Sequence, residues 1–117
     1  MDDLDQEWTE KGATLSDKTA RKELGLTEEE IVAAMRAGKL QFRIGSMHGN
    51  PWYRLLRREV EALVVQSHGK RYLEERKATA ELARVNAELK RLRSELVIAE
   101  QRRTELVALL AHRPGDP

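Results

Sequence analysis

The stretch "GLTEEEIVAAMRAGKL", Gly25–Leu40, decides the fold. Thr27 followed three residues later by Glu30 is a T-x-x-E capping box. In it each side chain takes a backbone N–H of the other residue, and a helix begins. Ile31, Ala34 and Met35 then fall at i, i+3 and i+4, one apolar stripe. The helix runs to about Ala37 and stops at Gly38. Gly25, ahead of the cap, is a suitable left-handed residue to close a preceding helix.

That preceding helix is expected over Asp17–Leu24 with Ser16 as its N-cap, and Ala20 and Leu24 face the stripe. Two short helices joined by a tight Gly-containing turn form a helix-turn-helix. Downstream, Leu40, Phe42 and Ile44 alternate with Gln41 and Arg43, the period of a half-buried strand. "GSMHGNP" is a turn, and Trp52–Leu55 returns as a second strand with Tyr53 and Leu55 inward. This is a two-stranded β-hairpin wing. "RREVEALVV" starts another helix that buries Val60, Leu63 and Val64, and a bend or break is expected at Gly69.

From Lys70 to about His112 the chain has neither Gly nor Pro. A seam of alternating three- and four-residue steps carries Ala78, Leu82, Val85, Leu89, Leu92, Leu96, Ala99, Leu106 and Leu110, interrupted by Glu75 and Arg103. A 3.5-residue repeat sustained in this way is the coiled-coil pattern. At 1.5 Å per residue the helix is about 64 Å long, too long to cover its seam on so small a head. A second copy of the chain is therefore expected as the partner, in a homodimer or a tetramer. Glu74–Lys77, Glu81–Arg84 and Glu88–Arg91 are i, i+3 pairs that support the single helix. Val97 and Ile98 lie off the seam with Val107 and Leu109, and mark a further contact, with another dimer or with a different protein.

Composition narrows the chemistry. The 117 residues suffice for one small domain and an extension. Cysteine is absent, so disulfides, thiol catalysis and Cys-based zinc sites are excluded. No apolar run approaches the ~20 residues that span a bilayer, and a soluble, cytoplasmic protein without membrane contact is expected. His48, His68 and His112 lack metal-ligand spacing, and Gly45 and Gly49 bound a turn without the G-K-[ST] of a phosphate cradle. No catalytic constellation, metal or cofactor is expected. The net charge of +1 is unevenly laid out. Residues 1–13 hold five acids and one base (−4), residues 14–69 nine bases and seven acids (+2), and residues 70–117 eleven bases and eight acids (+3). The expected division is an acidic flexible tail over 1–13 with Trp8 incidental in it, a head over 14–68, a coiled-coil oligomerisation helix over 69–112 and a flexible end over 113–117.

Residues 14–65 resemble the winged helix-turn-helix of the MerR regulators and excisionase-like DNA-binding proteins. The resemblance is carried by Ala20, "LGLT" (Leu24–Thr27), "AGKL" (Ala37–Leu40), "RIG" (Arg43–Gly45) and "WYRLLRREVEAL" (Trp52–Leu63). MerR regulators dimerise through a long helix after the head, and small terminase subunits of phages join a similar head to a helical assembly segment. The resemblance implies a mainly α fold, a winged helix-turn-helix head followed by a long coiled-coil helix. It also implies a homo-oligomeric protein that binds double-stranded DNA, either a transcription regulator or a phage or plasmid accessory factor.

Carried over residue by residue, it implies that helix two enters the major groove with Thr27, Glu28, Glu29, Val32, Ala33 and Arg36. It places Arg43, His48, Asn50 and Arg54 of the wing on phosphates or in the minor groove. Lys18, Arg21, Lys22, Lys39, Arg57 and Arg58 add phosphate contacts. Glu28 and Glu29 depart from this pattern. Acids in a first turn suit the helix dipole, yet near phosphates they oppose the counterion release that drives DNA affinity. They shift the expected DNA contact towards the wing. They also keep open a second class of function, an adaptor whose head binds a basic protein surface through Glu28 and Glu29 and whose coiled coil supplies multivalency.

Overall fold

Two capped turns organise the head. In the computed structural model, which describes residues 3–47 and 49–112, α2 (Asp17–Leu24) is capped by the Ser16 hydroxyl, which accepts from the Thr19 N–H at 3.0 Å. It closes on Gly25 at φ 74°. After the turn, α3 (Glu28–Arg36) opens on the full capping box. Glu30 N–H donates to the Thr27 hydroxyl, and Thr27 N–H donates to the Glu30 carboxylate, both at 3.1 Å. The Thr27 N–H bond, more than any other contact, holds the Glu30 carboxyl below its ordinary value.

A depressed folded-state value means that the stabilisation by ionised Glu30 is complete above the ordinary carboxylate range. It is lost as pH falls through the lower, folded value. Thr27→Ala should therefore cost the head about 1 kcal/mol. Glu30→Gln should remove part of the acid-side fall in stability, read from urea midpoints between pH 3 and 7. A wild-type acid limb retained in Glu30→Gln would refute this account of the box.

The wing has three strands, one more than expected. β1 (Thr14–Ser16) pairs antiparallel with β3 (Asn50–Leu56), which also pairs antiparallel with β2 (Phe42–Met47), giving the order β1-β3-β2. Thr14 opposes Leu56 and Ser16 opposes Arg54. Phe42 opposes Leu55, Arg43 opposes Arg54 and Ile44 opposes Tyr53. "ATLS" has too few residues for a legible period, so β1 was invisible until β3 offered it an edge. Trp52 packs on the hairpin, its ring so close to Gly45 that a Cβ there would lie 2.5 Å from Cε2.

Strand alternation separates two faces of the sheet. Leu15, Leu55 and, just ahead of β2, Leu40 are buried with Ala20, Leu24, Leu26, Ile31 and Ala34. α4 (Arg57–His68) contributes Val60 and Val64 to this core, with Leu63 and Met35 packed against it. The expected inward alternation holds only near the core. Further along the hairpin Phe42, Ile44 and Tyr53 are exposed, because nothing among the described residues covers that end.

Two expectations at the head's margins are corrected. The segment taken for a flexible tail holds α1 (Asp3–Thr9), and Trp8 is only 3% exposed. Its indole finds cover against the outer face of the sheet, which a reading of the segment alone cannot see. The head also does not stop at residue 68. α4 ends at Gly69 (φ 92°), and α5 (Lys70–Ala111) begins as part of the head. Leu73 is buried in the core, and Tyr72 packs against it. Arg76 donates from Nε to the Glu23 carbonyl (3.0 Å) and from Nη2 to the Lys22 carbonyl (2.8 Å), closing the end of α2. Lys77, expected to pair with Glu74, instead reaches Glu61 of α4 at 3.4 Å. The compact unit runs to Ala80.

From Glu81 the rest of α5 forms the second unit. Arg91 bonds both Glu88 and Glu95, and Arg102 bonds Glu105 at 2.9 Å. Met1 and Asp2 of the expected tail, His48 of the expected wing contact and the expected flexible end over 113–117 lie outside the described residues.

Candidate nucleic-acid interface

The capping box fixes what α3 can offer. Thr27 and Glu30 are spent on its own backbone, leaving Glu28, Glu29, Ala33 and Arg36 exposed and Val32 half-buried. These five line one shallow, open depression. Its acids sit at the helix start, where the dipole favours them, and its one cation at the end. On α2, Lys18, Arg21 and Lys22 are exposed, and Lys39 is exposed after α3. The side chains of Lys18, Arg21, Lys22, Arg36 and Lys39 make no hydrogen bond or ion pair with the described residues.

The wing and the start of α4 are different. Arg43 and Arg54 face each other across β2 and β3, a like-charge pairing that is unfavourable without other partners. Both have such partners. Arg54 Nε donates to the Thr14 hydroxyl at 3.1 Å, and the Arg43 guanidinium lies 4.7 Å from the centre of the Trp8 ring. Arg57 donates from Nε to the Gly12 carbonyl (2.9 Å) and from its backbone N–H to the Ala13 carbonyl (2.8 Å). Arg58 grips Glu7 with both arms of its fork, Nε at 2.7 Å and Nη2 at 3.0 Å. The Glu7 bond holds the Arg58 guanidinium above its ordinary value.

Three of the cations expected on phosphates, Arg43, Arg57 and Arg58, thus serve the N-terminal segment, and Arg54 serves β1. The expected shift of contact towards the wing meets arginines that are already engaged. Asn50 is exposed on the outermost described rung of the hairpin, opposite Met47.

Glu7, Trp8 and Gly12 have a part here that the sequence did not disclose. A faint signal exists in Arg43 and Arg54, two cations on one strand face that require company. Their partners lie more than thirty residues away, and no local pattern names them.

Two apolar surfaces remain uncovered. Phe42 and Tyr53 meet edge to face (5.5 Å, 88°), and Ile44 beside them is 68% exposed. Along α5, Leu82, Val85, Leu89, Leu92, Leu96, Ala99, Leu106 and Leu110 are all exposed, and so are Val97 and Ile98. Among the described residues no group of three or more His, Cys, Asp or Glu side chains is placed to hold a metal, and no helix is long and apolar enough to cross a membrane. Comparison of the chain with family models, curated proteins and solved structures gives no match.

Proposed function

We propose that this chain is a self-associating winged-helix protein that binds duplex DNA, a regulator or accessory factor of the MerR/excisionase kind. The observation that carries the reading is the set of cations the head leaves exposed and, among the described residues, unpaired: Lys18, Arg21, Lys22, Arg36 and Lys39, on and beside a helix-turn-helix. Phosphate contacts by such side chains position a head on DNA. Helix two adds one cation, Arg36, beside Glu28, Glu29, Val32 and Ala33, and the two carboxylates oppose the phosphates there. Self-association is supported by the nine exposed apolar seam positions of α5, which suit a coiled coil with a second copy.

Titration of a fluorescent 30-bp duplex tests this. Binding should fall steeply with salt. Lys18→Glu/Arg21→Glu should weaken it on every sequence and lower the slope of log K against log salt by about 2. An intact oligomer that binds no duplex at low salt would refute the reading.

The adaptor reading is favoured by the exposed Glu28 and Glu29 and by the bare Phe42–Ile44–Tyr53 face. Glu28→Lys/Glu29→Lys separates the two. It should tighten DNA binding under the first reading and abolish capture of a basic protein under the second.

A further inference from the structure

The outer face of the sheet is occupied by the chain's own most acidic segment. Residues 1–13 carry five acids and one base. From this segment come the carboxylate that Arg58 grips, the ring under Arg43 and the carbonyls that Arg57 takes. A carboxylate held by both arms of a guanidinium fork has the geometry that the same fork uses on phosphate oxygens. We infer that the N-terminal segment is an intramolecular competitor for DNA: Glu7 stands where a phosphate would bind, and α1 leaves the outer face when that face meets a duplex. This rests on the DNA-binding reading and adds a regulated second contact to it.

The contact is built to exchange. Glu7 and Arg58 are 22% and 57% exposed, and ion pairs this open to water are weak. Trp8, 3% exposed, supplies the hold. With α1 docked, Arg58 is held by Glu7 and Arg43 lies over the Trp8 ring, so each meets a phosphate only by giving up a partner in that segment. The duplex then binds the wing only in proportion to the undocked fraction. The cations of α2 and α3 remain accessible throughout. A first, weaker encounter through them comes before the wing engages.

The test compares the full chain with Glu7→Gln and Trp8→Ala on the same duplex at fixed salt, with thermal melts to confirm folding. Glu7→Gln removes the competing charge from a half-buried position outside the core and should tighten binding about threefold. Trp8→Ala, which loosens the whole segment, should tighten it about tenfold. Glu7→Gln is the decisive variant, since it leaves the core untouched. The chain has two tryptophans, so Trp52→Phe leaves Trp8 as the sole reporter of α1. Its emission should move to the red on saturating duplex.

If wild type and Glu7→Gln bind equally, or Trp8 emission stays fixed while duplex is bound, the competitor role is overturned and the DNA-binding reading stands. If neither protein binds duplex, both fall.

Discussion

On the proposed self-association, replacing Leu89 and Leu92 by Asp should leave the chain a monomer of 13.4 kDa by light scattering. Both leucines lie mid-seam and are 42% and 46% exposed in the single chain, so the substitution removes nothing from the head's own core. In a pair of chains it removes four leucines. At the low end of about 1.5 kcal/mol for each buried side chain, that is about 6 kcal/mol, or about four orders of magnitude in Kd.

The carboxylates add to this, because they would have to lose water in an apolar seam. Part of the α5 helicity should survive, since the ion pairs of Glu88, Arg91 and Glu95 support the single helix. On the proposed DNA-binding reading, affinity for duplex should fall with it. A variant with the native mass would remove the seam from the interface.

The second large effect is expected at the turn. Gly25→Ala should destabilise the head by about 2–3 kcal/mol, measured by urea unfolding. Gly25 sits at φ 74°, where an L-residue pays about 1–2 kcal/mol. A Cβ there would also overlap the Tyr72 hydroxyl and crowd Arg76. Tyr72 would have to leave, and the two bonds by which Arg76 closes the end of α2 would loosen with it. Tyr72→Phe in the same chain should recover the part due to overlap and leave the backbone strain. If Gly25→Ala is neutral, or Tyr72→Phe brings no recovery, the turn is not locked by α5 in the way described.

Local signals were legible and distant ones were not. Ser16, Gly25, Thr27, Glu30 and Gly69 each act within a few residues, and caps, turn and break stand where they were read. The stripe of Ile31 and Ala34 and the burial of Val60 and Val64 follow from helical periodicity.

β1 and α1 escaped for one shared reason. A three-residue strand and a seven-residue acidic helix exist only because the sheet gives them an edge and a face. The candidate site followed the same division. Lys18, Arg21, Lys22, Arg36 and Lys39 are exposed as their sequence context suggests. By contrast, Arg43, Arg54, Arg57 and Arg58 depend on partners in residues 7–14 that no spacing rule reveals.

The capping box has a consequence for how such a head changes over evolutionary time. Thr27 and Glu30 spend their polar groups on the backbone of α3, while Glu28, Glu29, Ala33 and Arg36 project outward and take no part in the core. Foldability and partner choice are thereby written on different letters of the same helical turn. A lineage can change the residues at 28, 29, 33 and 36 and move from one ligand to another with the capping box intact, losing at the helix start only the dipole stabilisation of Glu28 and Glu29.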